Sequence, residues 1–231
     1  MNTPILMYHS ISNNKSSLSI SVDKFYKQMK LMNNLGYETI NFNQIDTVKG
    51  NQFIITFDDG YEDNFINALP ILNRFNFKAT CFFVANCFNG NNNWDKNKDD
   101  FSKLKIMSED QVKLWLQNGM MIGSHSFSHK DLIQINKKEK MNEFYLSKKI
   151  FKEKLDINVQ VFSYPYGSYD NETISVIKDY YKYAVTTKRS RYKKNTFDKF
   201  LLPRVPINKN DSLFKFFLKI KTPYEDLKFK K

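Results

Sequence analysis

The chain reads as an α/β domain of parallel strands joined by helices, and three observations carry that reading. Strand-like and helix-like stretches alternate from end to end in about seven units, and parallel strands need such crossover connections. The apolar runs are strand-sized, as in Cys81-Phe82-Phe83-Val84-Ala85, and fall far short of the roughly 20 residues that cross a membrane. Of the 231 residues, 41% are hydrophobic and 16% aromatic, which excludes a disordered chain and provides a sizeable core. The expected organisation is one domain over residues 1–231, with a polar basic tail from about residue 221.

The elements follow in order. Ile5, Leu6 and Met7 start a strand over residues 4–9, stopped by the polar Ser10-Ile11-Ser12-Asn13-Asn14. Phe25, Met29, Met32 and Leu35 recur at steps of three and four, predicting a helix over 22–35 with Gly36 as its terminator. A short strand at 37–40 precedes the buried run Gln52-Phe53-Ile54-Ile55-Thr56-Phe57, which ends abruptly in Asp58-Asp59-Gly60. A helix over 64–75 and a strand over 79–84 lead into an irregular polar loop at 86–100, of a length often used for lids and rims. Ser108 followed by Glu109 and Asp110 is an N-cap with acidic first-turn residues, opening a helix that runs to Gly119. Residues 120–125 are a strand and its exit. Then come a helix at 137–155, a strand at 159–164, a helix at 171–180, strands at 183–186 and 201–207, and a closing helix at 213–220.

With 36 Lys and Arg against 24 Asp and Glu, the formal charge is +12, which by itself suits nucleic acid, anionic lipid or an acidic glycan. The lysines are spread widely and read as a solvated face. Nucleic-acid binding is not expected, because most aromatics fall at core-like spacings instead of interleaving with basic residues on one surface. Leu213-Phe214-Lys215-Phe216-Phe217-Leu218-Lys219-Ile220-Lys221 alternates apolar and basic character. That pattern fits peripheral contact with an anionic membrane or a core-packing helix, and both readings stay open. The first residues lack the cationic start and apolar stretch of a secretory signal, so if Met1 is the native start the expected compartment is the cytoplasm, with the inner membrane face as a docking place. Cys81 and Cys87 make no disulfide framework and read as core or strand-end residues. No sequence feature specifies an oligomeric state.

Histidine is scarce, and all three copies fall at predicted strand ends or just beyond. His125 and His129 are four apart in Gly123-Ser124-His125-Ser126-Phe127-Ser128-His129, a spacing that on a helical turn faces both imidazoles one way. Two imidazoles and one carboxylate, with positions left for water, make a catalytic site for a divalent ion such as zinc. The bland reading is a pair of surface or capping histidines. Thr56-Phe57-Asp58-Asp59-Gly60 sets two adjacent carboxylates at the end of an apolar strand, where side-chain alternation and the Gly turn point them differently. One can bind metal while its neighbour stays free. Left unpaired beside a buried strand end, they would cost desolvation energy, which weighs against an idle capping turn.

Thr56-Phe57-Asp58-Asp59-Gly60, His125-xxx-His129 and Ser163-Tyr164-Pro165-Tyr166-Gly167, in this order, resemble the polysaccharide deacetylases of carbohydrate esterase family 4, the NodB-homology domain. The resemblance runs from about Pro4 to Ile207. It implies a distorted (β/α)7 barrel that removes acetyl groups from N-acetylated sugars, as in surface-polysaccharide biosynthesis. Carried over residue by residue, it makes Asp59, His125 and His129 the ligands of a divalent metal, zinc first and cobalt or nickel as alternatives. Asp58 becomes the base that takes a proton from the attacking water. It nominates the backbone N–H of Tyr166, preceded by Pro165, for the tetrahedral oxyanion, and places Pro165 and the Tyr166 ring at the sugar.

Two departures from the commonest family pattern stand out. Ser163 occupies the place where most members carry the Arg that orients the base, and Arg204, in Leu202-Pro203-Arg204-Val205-Pro206, is the candidate substitute, a surface arginine being the alternative. No histidine follows His129, so the usual Leu-x-His general acid is missing. His9, in Met7-Tyr8-His9-Ser10-Ile11, looks like the amino-terminal Tyr-His element of the permuted poly-N-acetylglucosamine deacetylase branch, which makes it the general acid; a structural or substrate-binding role stays open. A carbohydrate-binding relative that has lost turnover is the competing function. Such relatives typically lack the base or a ligand, whereas Asp58, Asp59, His125 and His129 are all present.

Overall fold

Seven of the apolar runs line up side by side and close into a ring. They are β1 (Ile5–Tyr8), β2 (Gln52–Phe57), β3 (Ala79–Phe83), β4 (Met121–Ser124), β5 (Val161–Ser163), β6 (Tyr183–Arg189) and β7 (Leu202–Pro206). The order is β1-β7-β6-β5-β4-β3-β2, every pairing is parallel, and β2 returns to pair with β1. The ring therefore has no open edge. It is distorted between β6 and β7, whose register slips between Val185 and Arg189. The structure, a computed structural model, describes residues 2–96 and 103–228. The end of the expected polar loop, at 97–100, and residues 229–231 lie outside the described residues.

Alternation along the strands divides the core into two layers. Ile5, Ile54, Phe82, Val161, Val185 and Leu202 fill the inside of the ring. The outward set, including Leu6, Tyr8, Phe53, Ile55, Phe57 and Phe83, packs beneath the helices. The helices are α1 (Val22–Asn34), α2 (Leu69–Arg74), α3 (Glu109–Gln117), α4 (Lys137–Leu155), α5 (Asn171–Ile177), α6 (Leu213–Lys221) and α7 (Tyr224–Lys228). α1 buries Phe25, Met29 and Met32 as its period predicts. The Ser108 cap of α3 is a full capping box, with Gln111 answering it. Cys81 is buried in β3, and Cys87 in the turn beyond it is also a free thiol.

Three segments differ from the sequence expectation. The helix expected over 64–75 begins as a π turn, Asn64–Ala68, before continuing as α2. Pro70 explains this: proline has no N–H to donate and its ring clashes with the carbonyl four residues back, here that of Ile66, and a wider turn relieves the clash. The strand expected at 37–40 shrinks to Glu38–Thr39, beside Gln52 and Phe53 and outside the ring. Beyond residue 221, where a polar tail was expected, the chain forms α7 and ties itself down. Glu225 is fully buried and pairs with Arg189 (2.9 Å) and Lys219 (3.5 Å), while Asp226 takes Arg191 at 2.6 Å. Fully buried Lys219 also reaches Asp211 at 2.6 Å.

α6 turns Phe216 and Ile220 into the core, as the core-packing reading of that segment requires, and leaves Leu213 and Phe214 outside. Among the described residues, no helix is long and apolar enough to cross a membrane.

Lys219 joins two buried acids from α7 and from the turn before α6. Its replacement in Lys219→Ala strands them in a dry environment. The expected loss is about 3 kcal/mol in urea unfolding, at the low end for a broken buried pair because Lys215 and Arg189 still face the acids. An unchanged midpoint would contradict this packing.

Candidate active site

The carboxyl ends of β1, β2, β4 and β5 deliver six side chains into one cavity of about 170 Å3. His9, Asp58, Asp59, His125, His129 and Tyr166 line it. It opens to solvent on one side, so a reacting amide group fits within it while the rest of a glycan would lie outside.

Asp58 follows the last residue of β2 and is 3% exposed. Its partner is Arg204, fully buried, which donates through both terminal nitrogens to the two carboxylate oxygens at 2.7 Å each. The remaining donors go to the Thr186 carbonyl (2.9 Å), the Thr56 hydroxyl (3.2 Å) and the Ser163 hydroxyl (3.1 Å), so all five N–H groups are used. Ser163 in turn donates to Asp58 at 3.3 Å. Arg204 lies within β7 and is fully buried with its guanidinium on Asp58, which excludes the surface reading. Burial pushes the Asp58 carboxyl up, and Arg204 more than reverses this, leaving it below the usual carboxylate range.

Asp59 sits one residue on with φ of 73°, followed by Gly60 at 78°. This pair of left-handed residues turns the second carboxylate away from the first. A Cβ on Gly60 would lie 2.4 Å from the Phe83 ring, so only glycine fits the turn. Asp59 Oδ1 stands 3.5 Å from His125 Nε2 and 3.4 Å from His129 Nε2. Two donors each about 2.1 Å from a tetrahedral ion stand about 3.4 Å apart, so the three residues fit a divalent cation. His125 Nδ1 lies 2.7 Å from the Ser163 carbonyl, which fixes that nitrogen as the protonated one and leaves Nε2 as the ligand atom. Burial opposes charge on both imidazoles. Asp59 and Asp58 outweigh it at His125, whose pKa is raised, but not at His129, whose pKa is lowered.

The two histidines do not share a helical turn. Residues 125–129 form a loop with Ser126 at φ of 66° and His129 at 58°. Its hydroxyls build it: Ser124 Oγ accepts from the Ser126 N–H (3.2 Å), and Ser126 Oγ accepts from the His129 N–H (2.9 Å). Glu143, buried on α4, accepts from the Phe127 and Ser128 N–H groups and the Ser128 hydroxyl at 2.6–3.0 Å. The His129 ring is stacked on Trp94 (4.8 Å) and edged by Tyr166 (4.6 Å), and its Nδ1 has no hydrogen-bond partner among the described residues. Packing holds this imidazole where a hydrogen bond holds the other.

Tyr166 has φ of 58° in the turn Pro165–Gly167 and half lines the cavity mouth. Burial first, then Asp95 and Asp59, push its hydroxyl up to about 12. Pro165, expected at the substrate, is buried and does not line the cavity; its fixed φ shapes the turn that presents Tyr166. Asp95, Leu18 and Thr187 also line the cavity and were not singled out by sequence. The signal for Asp95 and Trp94 was the long loop itself.

The profile of the polysaccharide deacetylase family matches residues 46–185. The chain is 31% identical over 193 residues to YxkH of Bacillus subtilis (strain 168), a protein assigned to the polysaccharide deacetylases. That match covers 80% of this chain and 64% of the relative, so the chain spans less than two thirds of its length. The Streptococcus pyogenes deacetylase PplD in complex with acetate has a TM-score of 0.83 at 24% identity, covering 96% of this chain and 99% of that one. IcaB from Ammonifex degensii has a TM-score of 0.78 at 18% identity, covering 93% and 94%. These two structures share the fold.

Removing the buried cation reverses a stability profile. A carboxyl held below its unfolded value contributes stability that is present above about pH 4 and fades as pH falls through the folded value. In Arg204→Met, burial raises the Asp58 carboxyl against only the weaker pull of His125 and His9, so it moves above the unfolded value and stability is lost as pH rises past about 4. The gap between variant and wild type should widen from pH 4 to 7, reaching about 3–5 kcal/mol in urea unfolding. A gap independent of pH would contradict the assignment.

Proposed function

The chain belongs to the polysaccharide deacetylase family, and on that footing we propose that it hydrolyses the acetamide of an N-acetylated sugar or glycan, as a step of surface-polysaccharide biosynthesis. The observation that carries the proposal is the division of labour between neighbouring carboxylates: Asp58 is clamped by Arg204, while Asp59 faces two imidazoles in the same cavity.

Asp59, His125 and His129 would hold a divalent ion, zinc first and cobalt or nickel as alternatives, which when bound would supply Lewis acidity toward the amide carbonyl and a water. Asp58 takes the proton of that water as its oxygen bonds to the carbonyl carbon. Arg204 acts through Asp58: it keeps the carboxylate ionised in a buried place and fixes its orientation, so it is a positioning residue. As the C–N bond breaks, the departing nitrogen needs a proton, and His9, at the end of β1 on the same cavity, gives it. Tyr166 offers its backbone N–H to the oxyanion and its ring to the sugar. The confined cavity takes the acetamido group, leaving the rest of the glycan at the mouth beside Tyr166.

A binding protein of the same fold is the second reading, and one experiment separates the two. Acetate release from N-acetylglucosamine oligomers and from UDP-N-acetylglucosamine is measured after chelation and after return of zinc, cobalt or nickel. Release should depend on metal and fall by about 10²- to 10⁴-fold in Asp58→Asn, with metal binding retained. In Arg204→Met the acid limb of the pH profile should move upward. Stoichiometric metal binding with no release from any acylated sugar would favour the binding protein.

A further inference from the structure

The π turn is an unusual stretch of backbone, and its side chains converge on one place. Residues 58–67 run from the base through Asp59 into the turn, and that single segment grips the chain on both sides of His9. The Asp58 N–H donates to the Tyr8 carbonyl at 3.0 Å. Asn64 Nδ2 donates to the carbonyl of His9 itself at 2.8 Å. Asp63 accepts the Ile11 N–H at 3.0 Å and the Ser10 hydroxyl at 2.5 Å, and Asn67 Nδ2 donates to the Ile11 carbonyl at 2.8 Å.

We propose that Asp63, Asn64 and Asn67 are positioning residues that fix His9 against Asp58 and Asp59, so that proton donor, base and metal ligand are set by one continuous segment. The inference rests on the reading of His9 as the proton donor.

Asn64 is the telling member. It is fully buried, and its Oδ1 has no hydrogen-bond partner among the described residues. A buried oxygen without a partner opposes folding, so stability alone does not account for an asparagine there. Its amide nitrogen on the His9 carbonyl is the contact the residue is placed to make. Asp63 extends the same hold to Ser10 and Ile11, which pair with Ser19 and Ile20 in a two-stranded ladder. Beyond Tyr8 the chain leaves the barrel ladder, and His9 lies between that ladder and this small one. Besides the burial of Tyr8, Ile11 and Ile20 in one core, the side chains of residues 63–67 supply directional hydrogen bonds to the backbone of His9 and Ile11 and to the Ser10 hydroxyl between the two ladders. π turns recur at functional sites, and this one is set by Pro70 directly downstream of the acidic turn.

The test is a pair of double-mutant cycles on the metal-loaded protein, with acetate release from N-acetylglucosamine oligomers as the readout. Asn64→Ala and the half-buried Asn67→Ala should each lower kcat by about ten- to hundredfold, as small misplacements of a reacting group do. KM and metal stoichiometry should stay unchanged. In a His9→Gln background the same substitutions should change kcat by less than about twofold, because the donor they position is gone. An equal loss in both backgrounds, or a loss carried by KM, would overturn the proposal. Hydrogen exchange supplies a readout independent of turnover: the amides of residues 9–11 should exchange faster in Asn64→Ala and Asn67→Ala, with residues 54–57 unchanged. Should the wild type release no acetate, the functional reading fails and exchange alone judges the grip; unchanged exchange at residues 9–11 would refute it.

Discussion

A buried arginine holding a buried aspartate is the interaction on which the site depends. Arg204 and Asp58 are removed from water together, at a desolvation cost that their attraction offsets only because the geometry is bidentate and every guanidinium N–H has an acceptor. Such a pair is a poor device for stability and a good one for specifying a state. It fixes which of two adjacent carboxylates remains an ionised oxygen base and in which direction its lone pairs point. It also requires β7 to lie where it does, because Arg204 reaches Asp58 from within that strand, past β1.

The ring makes that reach possible. Seven strands closed without an edge leave an interior narrow enough for one side chain to span, and Phe82 lies under the guanidinium with its centroid 5.8 Å away. Above the arginine, the strand ends open into turns in which residues are forced left-handed: Asp59, Ser126, His129 and Tyr166 all have positive φ. Strained backbone of this kind persists only where its surroundings over-determine it. Glu143 does so for the histidine loop, the Phe83 ring crowds Gly60 at the acidic turn, and Thr187 crowds Gly167 so closely that a Cβ there would lie 2.1 Å from its hydroxyl.

What was legible in the sequence was local. Strand-sized apolar runs, the period of α1 and the Ser108 cap need only neighbours to be read, and the Asp58-Asp59 and His125-xxx-His129 elements carry their chemistry in residue type. The pairing of Arg204 with Asp58 spans 146 positions, and sequence could only nominate it from what Ser163 fails to supply. Helical spacing was the wrong reason for the nearness of His125 and His129, since a serine-built loop brings them together. Glu143 was hidden because a glutamate on a helix looks like any solvated one. The π turn was hidden because Pro70 acts on a carbonyl four residues back, and α7 because the burial of Glu225 depends on Arg189 and Lys219 arriving from elsewhere in the fold.

Asp58 and Asp59 divide base and ligand roles between them, and anomalous diffraction at the zinc edge from crystals of the zinc-loaded protein would show that division. One peak is expected, within about 2.0–2.2 Å of Asp59, His125 Nε2 and His129 Nε2, with Asp58 still bidentate to Arg204. A zinc ion ligated by Asp58, or an Asp58 released from Arg204 when the ion binds, would contradict it.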